Sequence, residues 1–219
     1  MKNNIASFID HSFLKPTATI ADIVLLCNEA NQYGFAAVCI PPLFVKKAKE
    51  FTAGANVKVA TVIGFPFGYS AVEAKLAEIV LAIIDGADEL DVVINIAALK
   101  NNDWQYLAHE LNTILPVIKS KAKMIKVIIE TAMLTQDEII KCCDLYGIAA
   151  VDFLQTATGF ANGDTAIADV KTIRRHLADA VNIKVSGNIT NYTHARQLIE
   201  AGATRLGCDN SVQLFKAYL

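Results

Sequence analysis

The chain has 219 residues, of which 53% are hydrophobic, and its formal net charge is −2. This length, with no break in composition or linker, predicts a single domain over residues 1–219. The near-neutral charge gives no general attraction to nucleic acid or to an anionic membrane, and no apolar run reaches the roughly 18 residues that a membrane span needs.

The N-terminus lacks the apolar stretch and cleavage site of a signal peptide, so we expect a soluble, cytoplasmic protein. Five cysteines show neither zinc-ligand spacing nor a disulfide pattern, which favours buried, reduced thiols; they are Cys27, Cys39, Cys142, Cys143 and Cys208. The densest basic cluster precedes a strand and is typical of a solvated edge; it consists of Lys119, Lys121 and Lys123.

Short apolar, β-branched runs alternate along the chain with amphipathic helical stretches, which predicts βαβ units and a parallel sheet. The predicted strands are Phe8–Phe13, Ala36–Ile40, Val57–Ile63, Glu89–Ile94, Met124–Glu130, Ala149–Gln155, Ile183–Ser186 and Arg205–Gly207. Eight such units in so short a chain favour a closed TIM (β/α)₈ barrel. An open doubly wound sheet would carry a glycine-rich phosphate turn after its first strand, and Phe13-Leu14-Lys15-Pro16 is not one.

The ends of several helices are marked by their residue types. Thr135 and Glu138 have the spacing of a capping box, which predicts the start of a helix. Glycines that follow a helical run and precede a strand predict helix ends; they are Gly34, Gly86, Gly147 and Gly202.

In such a barrel the active site lies at the carboxyl ends of the strands. That rule selects Asp10, Cys39, Asp91, Asn95, Lys126, Glu130, Gln155, Thr158, Lys184, Ser186 and Asp209. Asp91, Lys126 and Lys184 stand within apolar strands, where an unpaired charge is costly, so we expect them to converge on the barrel axis. A lysine beside another cation loses its proton more readily, which would suit a nucleophile or an acid–base catalyst.

Ordered motifs throughout the chain resemble the deoxyribose-phosphate aldolase family. The similarity runs from about residue 8 to about residue 215 and is carried by Ile9–Thr19, Gly34–Cys39, Val57–Pro66, Gly86–Lys100, Lys126–Thr131, Asp152–Phe160, Lys184–Ile189 and Glu200–Gly207. The resemblance implies reversible cleavage of 2-deoxyribose 5-phosphate to acetaldehyde and glyceraldehyde 3-phosphate, without a metal, through a lysine imine. It also allows a homodimer, since family members are often dimers.

The resemblance also implies roles for individual residues. Asp91 matches an aspartate that works with a water in proton transfer, Lys184 the lysine that perturbs the reactive one, and Lys126 a further lysine lining the site. Residues near the substrate are matched by Asp10 and Cys39. The segments that hold the sugar and its phosphate are matched by Thr158-Gly159 and Ser186-Gly187.

The chain departs from the family pattern at the imine-forming residue. Family members have lysine where this chain has Gln155. An amide nitrogen cannot form an imine, because its lone pair is delocalised into the carbonyl group. The usual family mechanism therefore cannot run at this position.

The phosphate end differs as well. The family typically has Ser-Gly-Gly-Ile-Arg and Gly-Ala-Ser-Ser, where this chain has Ser186-Gly187-Asn188-Ile189-Thr190 and Gly207-Cys208-Asp209-Asn210. Two anions about 5 Å apart repel by roughly 3 kcal/mol at an effective dielectric constant of about 20, so Asp209 predicts weakened phosphate recognition. Asp209 is also suited to cap the last helix, and both interpretations can hold together.

Three interpretations of Gln155 follow: an inactivating change in an ordinary aldolase, a natural enzyme whose chemistry has diverged, or a silent homologue that binds a ligand or protein. The second interpretation, a natural enzyme whose chemistry has diverged, fits best, because the imine-forming residue and the phosphate end both differ from the family.

A diverged enzyme could relocate the imine to Lys184 or Lys126. It could instead use acid–base catalysis by Lys184 or Asp91, with Gln155 donating a hydrogen bond to the substrate. In both cases we expect a small carbonyl substrate and no metal or other cofactor. The histidines show no ligand pairing, and the last three fall in predicted helices at the surface; they are His11, His109, His176 and His194.

Overall fold

Eight parallel strands close into a barrel in the computed structural model, which describes residues 5–161 and 165–216. Each strand is hydrogen-bonded to the next, and the eighth returns to the first. The strands β1–β8 are Ile9–Ser12, Ala37–Ile40, Lys58–Ile63, Glu89–Val93, Met124–Ile128, Phe153–Gln155, Asn182–Ser186 and Arg205–Cys208. All eight predicted strands are present, so the prediction of a TIM barrel is confirmed.

Helices follow the strands and surround the barrel. In the described residues the helices α1–α9 are Ile20–Tyr33, Val45–Phe51, Val72–Ile84, Ile96–Lys100, Trp104–Ser120, Gln136–Ile148, Ile167–His176, Tyr192–Glu200 and Ser211–Lys216. None of them combines the length and the apolarity that crossing a bilayer demands. As predicted, three histidines lie in helices, with His109 and His176 exposed and His194 half-buried.

The predicted helix signals were mostly confirmed. Thr135 accepts a hydrogen bond from the Glu138 backbone at the start of α6, and the Glu138 side chain completes the capping box. Gly34 ends α1 in the left-handed conformation. Gly147, in contrast, lies inside α6, and the left-handed residue after that helix is Ala150.

Helix α6 continues through Gly147 to Ile148, so the prediction that Gly147 follows the end of the helix was wrong. A Cβ at Gly147 would lie 3.5 Å from the Ala178 backbone nitrogen, so the glycine lies where α6 packs against the segment that follows α7. The sixth strand also begins later than predicted. Its first predicted residues, Ala149–Asp152, form the turn after α6 and the approach to β6.

The interior of the barrel is divided into an apolar and a charged part. Residues that point outward from the strands pack under the helices, as Leu90 and Val92 of β4 do. On the inside, β2 and β3 contribute a small apolar cluster of Ala37, Cys39, Ala60 and Val62, while β1, β4, β5, β7 and β8 contribute charged side chains. As predicted, all five cysteines are free and buried.

Candidate active site

A cavity of about 270 Å³ opens at the carboxyl ends of the strands. Eleven of the residues predicted for the site line it: Cys39, Asp91, Gln155, Thr158, Gly159, Lys184, Ser186, Gly187, Asn188, Asp209 and Asn210. Asn95 and Glu130 are not among the lining residues, and the Asn95 side chain instead caps α4 by accepting a hydrogen bond from the Ala98 backbone. Asp10 and Lys126 are fully buried and contact Lys184 and Asp91 without being among the lining residues. They would act on a ligand only through their neighbours.

Six charged side chains form a buried ionic cluster next to the cavity: Asp10, Glu89, Asp91, Lys126, Lys184 and Arg205. Lys184 Nζ lies 2.5 Å from Asp91 Oδ2 and 2.7 Å from Asp10 Oδ2. Lys126 Nζ lies 2.6 Å from Glu89 Oε2 and 2.8 Å from Asp91 Oδ1. Three carboxylates thus face three cations, and the cluster is formally neutral.

The protonation of the lysines is the opposite of the prediction. Burial lowers the pKa of Lys184, but Asp10 and Asp91 outweigh it and hold the pKa above its ordinary value. Burial also opposes the charge on Lys126, yet its surrounding carboxylates raise the pKa well above the usual range. Both lysines are ammonium ions, because each has more carboxylates than cations within contact distance.

The aspartates are held as carboxylates by the same contacts. Burial alone would raise the pKa of Asp91. The neighbouring Lys126 and Lys184 lower it by a larger amount, so the pKa lies below its ordinary value. Asp10 is affected in the same way, with Arg205 as an additional cation. A carboxylate of low pKa is a weak base, so Asp91 anchors the lysines more readily than it abstracts a proton by itself.

Gln155 is held by the wall of the cavity. Its Nε2 donates to the Ala157 carbonyl at 3.2 Å and to Ser186 Oγ at 3.1 Å. The amide donor is therefore engaged by the protein, which argues against the predicted hydrogen bond from Gln155 to a substrate oxygen. Gln155 also pairs in register with Lys184 on the adjacent strand.

Glu130 fixes the loop that follows β6. It has a left-handed backbone (φ 57°), and its Oε2 accepts hydrogen bonds from the Thr158 backbone at 3.0 Å and from the Thr158 hydroxyl at 2.5 Å. The Thr158 hydroxyl in turn accepts from the Phe160 backbone at 3.1 Å, and the Phe160 ring packs edge-on against Phe65. Glu130 thereby positions one wall of the cavity.

Cys39 contributes a neutral thiol to the cavity. Its Sγ lies 3.6 Å from Asp91 Oδ2. Burial raises the pKa of the thiol, and the Asp91 carboxylate raises it further. Because a thiolate is the reactive form of cysteine, this environment does not suit a nucleophile.

Gly207 makes room for two of these side chains. A Cβ at this position would lie 2.5 Å from Ser186 Oγ and 3.2 Å from Lys184 Cε. A side chain on β8 would therefore displace Ser186, which bonds to Gln155, and crowd Lys184.

We expect the substitution Gly207→Ala to lower the free energy of unfolding by about 1–3 kcal/mol, the usual cost of overpacking. Gly147→Ala is the matched control, since its Cβ would meet its neighbours at ordinary distances of 3.5 Å or more. Alanine there should be neutral or stabilise α6 by about 0.5–1 kcal/mol. Urea unfolding of both variants measures the difference, and equal stability of Gly207→Ala and wild type would contradict the steric argument.

The predicted phosphate end forms the lip of the cavity. Asp209 is exposed there, so solvent and salt reduce the repulsion between its carboxylate and a phosphate below the roughly 3 kcal/mol estimated from the sequence. The interpretation of Asp209 as a helix cap was wrong. Helix α9 begins at Ser211, and its first backbone hydrogen bond runs from Leu214 to the Asn210 carbonyl, which makes Asn210 the capping position.

Several residues of the site were not predicted from the sequence. Arg205 pairs with Asp10, and its guanidinium lies over the Phe153 ring at 5.5 Å. Strand alternation from Gly207 would have placed Arg205 on the inner face. The lining residues Leu14, Lys15, Val62, Phe65 and Phe160 gave no signal, because apolar and surface residues are common at the ends of strands.

No group of three or more His, Cys, Asp or Glu side chains in the described part of the chain is arranged to hold a metal ion.

The family model and the relatives of similar sequence indicate the same family. Residues 5–207 match the model of the DeoC/LacD family aldolases. The deoxyribose-phosphate aldolase of Thermococcus gammatolerans is 46% identical over 213 residues, which cover 96% of this chain and 95% of that protein. The deoxyribose-phosphate aldolase of Caldanaerobacter subterraneus is 42% identical over 216 residues, which cover 98% and 94% of the two chains.

Among solved structures, the deoxyribose-phosphate aldolase of Aeropyrum pernix superimposes with a TM-score of 0.90 at 29% sequence identity, covering 98% of this chain and 90% of that chain. Fold and sequence thus point the same way. The chain belongs to the DeoC/LacD family aldolases.

Proposed function

We propose that the protein is a carbon–carbon lyase that cleaves and forms aldol bonds in a small, unphosphorylated hydroxycarbonyl compound without an imine at residue 155. Membership of an aldolase family supports the reaction class. A cavity of about 270 Å³ suits a small metabolite. The proposal assigns the chemistry to side chains alone.

The observation that carries this proposal is the state of Lys184. Lys184 lines the cavity, and its ammonium group is held between Asp10 and Asp91 at 2.7 and 2.5 Å. An ammonium ion cannot attack a carbonyl carbon, but it can bind the carbonyl oxygen and stabilise the negative charge of an enolate. Lys184 is therefore better suited to polarise the substrate than to form a relocated imine.

In the proposed cleavage, the β-hydroxyl group of the substrate loses its proton and the bond between the α- and β-carbons breaks. The bonding electrons move to the carbonyl oxygen, where Lys184 stabilises the resulting enolate. The α-carbon then takes up the proton that the hydroxyl group has lost. Lys184 and Asp91, joined by a hydrogen bond, form the pair through which protons would move.

Two residues that line the cavity, Asn188 and Asp209, and the nearby Thr190 support weakened phosphate recognition. Asp209 adds a carboxylate, and Asn188 and Thr190 stand where the family has glycine and arginine. A phosphate monoester would lose a cationic partner and gain an anionic neighbour. A neutral polyol would instead find hydrogen-bonding groups of both kinds.

Substitution of Lys184 tests the mechanism. With an aldehyde pair such as acetaldehyde and glyceraldehyde, we expect Lys184→Met to slow aldol formation by about 10²–10³-fold, the usual effect of removing an oxyanion donor. The exposed Lys121→Met is the matched control. Product formation followed by NMR measures the rates, and thermal melting shows that the variants are folded.

Borohydride reduction in the presence of acetaldehyde separates the remaining alternatives. An ethyl group on Lys184 or Lys126 of the wild type would reveal a relocated imine and contradict the proposal. No adduct and no turnover of any hydroxycarbonyl compound would leave a silent homologue or an ordinary aldolase inactivated at residue 155.

Self-association is a further part of the proposal. The Aeropyrum pernix relative has a tetrameric structure. In this chain α3 exposes Val80, Leu81 and Ile84, and apolar residues on one helix face are typical of contacts between subunits.

A further inference from the structure

The orientation of the Gln155 amide is fixed by its neighbours. The Ala157 carbonyl can only accept a hydrogen bond, so the Gln155 nitrogen must face it, at 3.2 Å. Ser186 Oγ lies 3.1 Å from the same nitrogen and accepts the second N–H. The amide oxygen is therefore directed away from both partners.

That oxygen is the unusual atom of the site. Gln155 is only 4% exposed, and its Oε1 is buried without a hydrogen-bond partner among the described residues. The side chain also lines the cavity. A buried acceptor without a partner destabilises a protein, and at the wall of a cavity a ligand can supply the missing donor.

We propose that Gln155 is a specificity-determining residue whose Oε1 accepts a hydrogen bond from a hydroxyl group next to the substrate carbonyl. The inference rests on the proposed function, because it assigns a substrate feature to that same site. Gln155 and Lys184 are register partners on neighbouring strands, which lie about 4.8 Å apart. An α-hydroxycarbonyl compound matches this pair of side chains. Its carbonyl oxygen can accept a hydrogen bond from the Lys184 ammonium group, and its hydroxyl group can donate one to Gln155 Oε1.

This assignment names a substrate class. In the aldol direction the enolate partner would be an α-hydroxyaldehyde or α-hydroxyketone of the glycolaldehyde type, rather than acetaldehyde. The donor's α-carbon loses a proton and bonds to the carbonyl carbon of the acceptor aldehyde, whose oxygen takes up a proton. The product therefore keeps a hydroxyl group at its second carbon, which 2-deoxy sugars lack.

Binding can be measured with a pair of probes that differ by one hydroxyl group. We expect the wild type to bind hydroxyacetone about tenfold more tightly than acetone in ligand-observed NMR titrations, as one satisfied acceptor allows. Gln155→Met, which keeps the length of the side chain but has no amide oxygen, should reduce this ratio to about one. The exposed Gln105→Met is the matched control and should keep the wild-type ratio.

Equal binding of the two probes by the wild type, or a preference that survives in Gln155→Met, would overturn the inference. Aldol formation from glyceraldehyde with glycolaldehyde or acetaldehyde is followed separately. A binding preference without any product would count against the proposed function alone. Product formed equally well from both donors, with equal probe binding, would count against the inference alone.

Discussion

The substitution Gln155→Lys is expected to create an amine that forms an imine with acetaldehyde. The buried ionic cluster already balances three carboxylates with three cations, and Lys184 is the register partner of residue 155. A fourth cation in this wall would be disfavoured both by burial and by the Lys184 ammonium group. The introduced amine should therefore have a pKa well below that of a free lysine.

The expected effect on reactivity is large. An unperturbed lysine has a pKa of about 10.4, so lowering it by about two units raises the neutral fraction near neutral pH roughly a hundredfold. Trapping with borohydride and acetaldehyde, followed by peptide mapping, should place one ethyl group on residue 155 of the variant. Surface lysines should react about a hundredfold more slowly.

Two controls make the result specific. Gln155→Met has no amine and should show no adduct at residue 155. The double substitution Gln155→Lys with Lys184→Met removes the neighbouring cation and frees carboxylates to stabilise the introduced ammonium, so its trapping should slow towards the surface rate. Trapping that is equally fast in the double variant would contradict the role of Lys184 in lowering the pKa.

The single variant Gln155→Lys also tests whether the cavity lip recognises a phosphate group. If Asp209 weakens phosphate recognition, Gln155→Lys should cleave 2-deoxyribose about as well as its 5-phosphate. A strong preference for the phosphate ester would show that the lip still binds phosphate. It would also favour the interpretation of the chain as an ordinary aldolase with one inactivating change.

Much of the fold could be predicted because its signals are local. Parallel strands buried on both faces give short apolar runs, and the capping box of Thr135 and Glu138 depends on residues three apart. The prediction was wrong where tertiary packing decides the structure. Gly147 lies inside α6, where the helix packs against the segment that follows α7, and no local pattern distinguishes such a glycine from one at a helix end.

The structure brings together most of the residues that the sequence indicated for the site, but the protonation expected for its lysines was wrong. Charges within apolar strands indicated that Asp91, Lys126 and Lys184 lie together, since such charges need partners. The protonation of the lysines could not be predicted, because it depends on how many carboxylates each one meets. Glu89 and Arg205 complete that balance, and the contacts of Arg205 with Asp10 and Glu89 exist only in the closed barrel.

Lys184→Met is expected to lower the free energy of unfolding by about 3–5 kcal/mol near pH 7, the usual result of removing one partner from a buried ion pair. Asp10 and Asp91 are fully buried, and both lose a cation that lies within 2.7 Å. Urea unfolding measures the change. The exposed Lys121→Met should stay within about 0.5 kcal/mol of wild type.

The pH dependence identifies the cause of this loss. In the folded wild type the pKa values of Asp10 and Asp91 lie below their ordinary values, so their contribution to stability is present above the unfolded value of about 3.9 and is lost as the pH falls below it. The raised pKa of Lys184 acts in the other direction. Its contribution is present below about pH 10.4 and is lost as the pH rises through the folded value.

The stability difference between wild type and Lys184→Met should therefore narrow from about pH 7 towards pH 4. Without Lys184 the pKa values of the two aspartates rise, and the folded variant takes up a proton that the wild type does not. Replacing one aspartate as well, in Asp10→Asn with Lys184→Met, should recover part of the lost stability near neutral pH, because two carboxylates would then face two cations. A difference that stays constant with pH and is not relieved by Asp10→Asn would mean that Lys184 stabilises the barrel through packing of its side chain rather than through its charge.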